Sequence, residues 1–126
     1  MSTTTSENVK SNAVNRLRNS RRLKAELDKQ NGRECCQKWA AESEDSELLA
    51  IQIEALKEAK TFFDEYGSDC VADLVASHAL EYDGTANFRE KDEFWTEVSG
   101  MSFDKVSNAF AEGFLEEAME IANEAD

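Results

Sequence analysis

The chain has 126 residues, of which 40% are hydrophobic and 33% are charged, and its formal net charge is −13. Seven Phe, two Trp and two Tyr are too many aromatic residues for wholesale disorder, so we expect a folded protein with its own core. The polar N-terminus has no secretory h-region, and no stretch approaches the ~18 apolar residues that cross a bilayer. We therefore expect a cytoplasmic protein with three free cysteines and no membrane contact.

The residues that normally break helices are scarce. The chain has no proline and only five glycines, while Ala, Glu, Lys and Leu are abundant. This composition favours helices joined by short loops. We predict one all-α domain over residues 1–126, a compact bundle of five to six helices without a significant sheet.

Apolar spacing at the N-terminus predicts a basic first helix over residues 6–30, after a frayed start at 1–5. Ser6 would cap it, and Asn31-Gly32 would end it, because glycine readily adopts the left-handed conformation of a helix stop. A short second helix, about Arg33 to Ala41, would open the acidic helical body of residues 33–126.

Four further helices are predicted along the body, each bounded by cap or stop residues. The third would run from about Glu47 to Tyr66, with Ser43 or Ser46 as its cap and Gly67 as its end. The fourth helix is predicted at about Asp69–Tyr82, capped by Ser68 and followed by a turn at Asp83-Gly84-Thr85. The fifth is predicted at Phe88–Val98, ended by Gly100, and the last from Ser102 to about Asn123. A short extended segment is expected only within Val98–Phe103.

The third helix has the clearest two-sided pattern. Its apolar residues, including Ile51, Phe62 and Tyr66, would share the core face, and its glutamates the opposite face. The predicted core of the whole domain consists of Leu48, Leu56, Phe62, Phe63, Val71, Leu74, Phe94, Trp95, Phe103, Phe110, Phe114 and Ile121.

Charge is sorted along the chain. Residues 1–38 hold nine basic and four acidic residues, a net charge of +5, whereas residues 39–126 hold five basic and 23 acidic residues, a net charge of −18. A field of this size steers association with charged partners. The sequence therefore indicates a non-enzymatic interaction protein, an inhibitor or regulator that binds another protein.

Rows of glutamates on two helices sharpen this prediction. Acidic side chains four residues apart on a helix are separated by ~6 Å, a spacing that can imitate the phosphates of a nucleic-acid strand. We predict that such a face docks onto the basic surface of a nucleic-acid-binding partner, as a nucleic-acid mimic would. The predicted contact residues are Glu54, Glu58, Glu112, Glu116 and Glu120.

The Arg-rich first helix supports an alternative function. Arginine-rich helices often bind phosphate backbones, so the protein could be a nucleic-acid-associated regulator. The cations concerned are Arg16, Arg18, Arg21, Arg22 and Lys24. This helix could equally pair with acidic surfaces of its own chain or of a second copy, which leaves a homodimer open.

Enzymatic chemistry is a distant third alternative. His78 is the only histidine, and a thiol or hydrolytic enzyme would have to combine it with Cys36 or Cys70. Cys70 lies two helical turns from His78, ~12 Å along the axis, which is too far for a hydrogen bond. The cysteine spacing fits no zinc pattern. We therefore predict no catalytic residue, no metal and no cofactor.

Overall fold

The computed structural model describes residues 2–80 and 86–125, with side chains for 12–80 and 86–124. Within these ranges the chain forms five α-helices and one 3₁₀ turn, and no strand. The all-α prediction is confirmed. The elements are α1 Ser2–Glu42, α2 Ser46–Tyr66, α3 Val71–Leu80, α4 Phe88–Ser99, the turn Phe103–Lys105, and α5 Asn108–Ala125.

One continuous helix, α1, replaces the two short helices predicted from the sequence. It begins at Ser2, not Ser6, and passes through Asn31-Gly32 without a break. Gly32 is buried against α5, where an added Cβ would lie 1.9 Å from the carbonyl oxygen of Phe110. The glycine therefore permits close helix packing and does not stop the helix. The predicted boundary between a helix at 6–30 and a body from residue 33 is wrong.

The caps explain where the other helices begin and end. The Asp45 side chain accepts a hydrogen bond from the Leu48 amide at 3.0 Å, so Asp45 caps α2 in place of the predicted Ser43 or Ser46. Gly67 and Gly100 end α2 and α4 with φ of 73° and 76°, values that favour glycine. Both predicted stops are confirmed.

The start of α3 is fixed by a residue from α5. The Asn108 side chain accepts a hydrogen bond from the Val71 amide and donates one to the Asp69 carbonyl, both at 3.1 Å. α3 therefore begins at Val71, two residues later than predicted, although Ser68 does accept a bond from the Cys70 amide. The predicted Asp83-Gly84-Thr85 turn lies outside the described residues.

The last helix begins later than Ser102. A 3₁₀ turn follows Ser102, and Ser107 then caps α5 by accepting a hydrogen bond from the Phe110 amide at 3.1 Å. Ser107 also donates to Asp28 at 3.1 Å, which ties the cap to α1. No strand forms at Val98–Phe103.

In the described part of the chain, most buried residues form one cluster between the helices. Trp95 and Phe114 are completely buried at its centre with ring centroids 5.4 Å apart, and Trp95 donates a hydrogen bond to the Ala72 carbonyl. α5 packs against α1, α2 and α3, while α4 packs against α3. The predicted core is correct for most residues but wrong for Phe62, which is 45% exposed, and for Leu48, which lies outside the core cluster.

Candidate functional site

The exposed side of α2 combines glutamates with apolar residues. Glu47, Glu54, Glu58 and Glu65 are all exposed, as predicted for the polar face. Ile51, Phe62 and Tyr66 are exposed as well, so the prediction that they face the core is wrong. We call these seven residues the α2 acidic face. Buried residues on the other side of α2, such as Ile53, Leu56 and Ala59, anchor the helix and direct this face toward solvent.

A shallow groove of about 360 Å³ runs along the α2 acidic face. Phe62 and Tyr66 lie in contact at its wall, with ring centroids 5.0 Å apart and ring planes tilted by 48°. Lys57 forms an ion pair with Glu54 at 3.2 Å, and both side chains line the groove. Glu58 and Glu65 line it too, so aromatic and carboxylate groups are presented side by side.

The predicted glutamates of α5 are not equivalent. Glu116 lies beside α1 and accepts a hydrogen bond from Arg33 at 2.6 Å, and Lys29 lies 2.8 Å from its other oxygen. Burial raises the pKa of Glu116, but the hydrogen bonds and positive charges of Lys29 and Arg33 outweigh it and hold the pKa below its ordinary value. Glu112 is half-buried, and Glu120 is exposed.

The five predicted acidic residues therefore lie on two helices and do not form one uniform surface. Glu54 and Glu58 belong to the exposed side of α2, where Glu54 pairs with a single lysine of its own helix. The middle residue of the α5 row, Glu116, is instead less exposed and is held by two cations of α1. A row interrupted in this way is a weak phosphate mimic, because ion-paired carboxylates contribute less to the field at a distance. The α2 acidic face is the stronger candidate surface.

The basic end of α1 extends beyond the bundle. Every side chain from residue 12 to residue 27 is exposed, and we call this segment the α1 arm. It carries the predicted cations Arg16, Arg18, Arg21, Arg22 and Lys24. Lys24 pairs with Asp28 at 3.3 Å. None of the four arginines forms an ion pair or hydrogen bond with any residue that the structure describes.

A second acidic surface was not predicted from the sequence. The end of α1, the start of α2, the end of α3 and α4 enclose a groove of about 730 Å³ with Trp39, Leu48 and Phe94 in its wall. Among the lining residues only Lys38 is basic. The acidic residues are Glu42, Glu44, Asp45, Glu90, Glu93 and Glu97. They come from separate chain segments, so only tertiary folding reveals the cluster.

His78 and two of the cysteines, Cys35 and Cys36, make structural contacts or are buried. The Nδ1 atom of His78 lies 2.9 Å from the Leu74 carbonyl oxygen, to which it can donate. Cys35 donates to the Val98 carbonyl, and burial, partly offset by Lys38, raises the pKa of its thiol to about 11. Burial and the nearby charge of Glu117 also raise the pKa of the fully buried Cys36. Raised pKa values keep both thiols protonated at neutral pH, the unreactive form.

Comparison with known proteins gives no identification: no family model, curated protein or solved structure matches this chain. Among the described residues, no helix combines the length and the hydrophobicity that crossing a bilayer requires. No three His, Cys, Asp or Glu side chains in those same ranges are placed together to hold a metal ion.

Proposed function

We propose that this protein is a non-enzymatic interaction module that docks its α2 acidic face onto a basic surface of a protein partner. The observation that carries the proposal is the coincidence of four exposed glutamates with three exposed large apolar residues on one side of one helix. Contact with water accounts for the exposed glutamates of a helix face, but it does not account for exposed apolar side chains beside them.

The mixture of groups favours a protein partner. Tyr66 is 69% exposed and Phe62 is 45% exposed, so covering them would remove apolar surface from water. Aromatic residues are enriched at the centres of protein interfaces, and arginine packs well over aromatic rings. A partner that presents arginine or lysine beside apolar side chains would satisfy both halves of the face.

In its more specific form, the proposal is that the partner is a nucleic-acid-binding protein. Glu54 and Glu58 are separated by one helical turn, ~6 Å, which is compatible with sites that normally accept phosphates. Docking there would make the protein an inhibitor or regulator. The three free cysteines fit a reducing, cytoplasmic setting.

The experiment compares two variants with equal change in charge. The test variant is Glu54/Glu58/Glu65→Gln, and the control is Glu90/Glu93/Glu97→Gln, which removes three exposed carboxylates from α4. Tagged wild type and both variants are used to recover partners from an extract, and the partners are identified. The proposal predicts that wild type and the control recover partners with basic surfaces and that the test variant does not. Equal recovery by the test variant would contradict it.

Nucleic-acid binding through the α1 arm is a second candidate. The supporting observation is that the four arginines of the arm are exposed and are not paired with described residues. Each phosphate contact adds about 0.9 to the salt dependence of binding, so losing four contacts would lower that slope by up to about 3.6. The test variant replaces four cations of the arm with alanine, namely Arg16, Arg18, Arg21 and Arg22.

A matched control removes the same charge from the body by replacing Lys57, Lys60, Arg89 and Lys105 with alanine. Binding of labelled duplex and single-stranded DNA is followed by fluorescence anisotropy at low and physiological salt. This candidate function predicts that the arm variant loses binding and that the control retains it. Equal binding by the two variants would exclude the arm as the binding site.

A further inference from the structure

Exposed apolar side chains are concentrated on two surfaces of opposite charge. Eight large hydrophobic residues are exposed in the described parts of the chain, and seven of them belong to these two surfaces. The α1 arm carries Val14, Leu17, Leu23 and Leu27, and the α2 acidic face carries Ile51, Phe62 and Tyr66. Residues 12–27 hold five basic residues and one acidic residue, a net charge of +4, whereas the α2 acidic face carries four glutamates.

The two surfaces do not cover each other within one chain. All side chains of the arm are exposed, including leucines that are 57–60% exposed, and all seven residues of the α2 acidic face are exposed too. α1 packs against α5 where Lys29 meets Gly113 and Gly32 meets Phe110, and the arm continues the helix in the N-terminal direction. Neither surface is therefore covered by the other surface of the same chain.

Their lengths and residue spacing are compatible. At 1.5 Å per residue, the 16 residues of the arm span about 24 Å, and Glu47–Tyr66 of α2 spans about 30 Å. With 100° per residue, Leu23, Leu27 and Arg16 share one side of the arm, with Leu17 and Lys24 at its margin. This side mixes leucine with cations, just as the α2 acidic face mixes apolar residues with glutamates.

We infer that a second copy of this chain covers the α2 acidic face: the α1 arm of each protomer docks onto the α2 acidic face of the other. In this arrangement the exchange of arms is reciprocal, so the two contacts are equivalent and the pair is a two-fold symmetric dimer, in contrast to the open chain that one-way docking would build. Leucines of the arm pack beside Phe62 and Tyr66, while Arg16 and Lys24 approach Glu54 and Glu58. This inference rests on the face assigned under the proposed function, and it makes the arm an occupant that a basic partner must displace.

The test compares two charge reversals of equal size on the full-length chain. Arg16/Lys24→Glu changes the docking side of the arm, and Arg18/Arg22→Glu changes the opposite side. Mass and dissociation constant are measured by sedimentation over a range of micromolar concentrations at low and physiological salt. Juxtaposed like charges weaken association strongly, so we expect the first variant to lose at least about tenfold in dimer affinity. The second variant is expected to dimerise nearly as the wild type does.

The second readout is the formation of a heterodimer when two variants with complementary charge changes are mixed. Glu54/Glu58→Lys is also expected not to dimerise alone, because its basic α2 face meets a basic arm. Mixed with Arg16/Lys24→Glu, it restores both opposite-charge contacts and is expected to form a heterodimer. Circular dichroism of each variant checks its helical content.

Three results would overturn the inference: a monomeric wild type across the range, equal weakening by the two arm variants, or no association in the mixture. Failure of the dimer remains distinguishable from failure of the proposed function. A monomer that still recovers basic partners through Glu54, Glu58 and Glu65 removes only the dimer. A dimer whose partners are recovered equally well without those glutamates removes only the partner docking.

Discussion

The two ends of α1 belong to one helix but differ in burial and in ion pairing. From Asp28 onward, the helix buries Gly32 and Cys36 against the bundle and pairs Lys29 and Arg33 with Glu116. In the α1 arm every side chain is exposed, and the arginines have no partner among the described residues. Charge alone therefore does not decide where a basic helix packs.

The difference arises from backbone contact. Gly32 and Gly113 let α1 and α5 approach until an added Cβ on either would lie 1.9 Å from a carbonyl oxygen of the other helix. The arm has no glycine and makes no such contact. Its helical residues extend the packed part of α1, so the free-energy cost of nucleating a helix does not arise again. The packed end of α1 is held by its neighbours, whereas the arm is held by helix propagation alone.

The largest expected effect comes from filling the helix contact. Gly32→Ala or Gly113→Ala places a methyl group against backbone atoms that cannot move independently, so we expect a loss of about 3 kcal/mol in unfolding free energy, despite the higher helix propensity of alanine. Asn31→Ala is the control, because Asn31 is exposed beside Gly32. Urea denaturation measures all three. A stable Gly32→Ala protein would show that the two helices are not in close contact.

A smaller effect is expected where the packed end pairs its charges. The pKa of Glu116 is held below its ordinary value, so its ion pairs stabilise the fold above the unfolded-state pKa of about 4.3 and are lost as pH falls through the lower folded-state value. Glu116→Gln should cost about 1 kcal/mol at neutral pH and almost nothing well below pH 4. Glu120→Gln, at an exposed position of the same helix, is the control. A penalty independent of pH would argue against the ion pairs.

The smallest effect is expected in the arm. Leu27→Ala should change the stability of the dilute monomer by less than about 0.5 kcal/mol, because Leu27 is 60% exposed. Leu56→Ala, in the core, should cost about 2–5 kcal/mol. Thermal and urea unfolding at low protein concentration compare the two. A large penalty for Leu27→Ala in the monomer would mean that the arm packs on its own chain.

Local sequence signals predicted much of the fold. The apolar spacing of α2 and the stops at Gly67 and Gly100 gave correct elements, because a glycine with positive φ ends a helix whatever its tertiary environment. Gly32 is also a glycine, but it permits close helix packing and does not end a helix. Its role depends on where Phe110 lies, which no local pattern contains, so the break predicted in α1 was wrong.

The candidate site could be predicted only in part. Periodicity placed Glu54 and Glu58 on an exposed face but could not tell that Phe62 shares it, because the apolar arc of α2 is wider than the surface that the bundle covers. The pairing of Glu116 with Lys29 and Arg33 depends on the crossing of α1 and α5. The groove between α1 and α4 likewise exists only once separate segments have folded together.

Hydrogen exchange at increasing protein concentration tests the docking of the α1 arm most directly. At low concentration the arm amides should exchange far faster than those from Asp28 to Glu42. As concentration rises, the arm should become protected, and so should the amides near Phe62 and Tyr66. An arm as protected as the rest of α1 in the dilute protein, or an arm whose exchange never responds to concentration, would contradict the account.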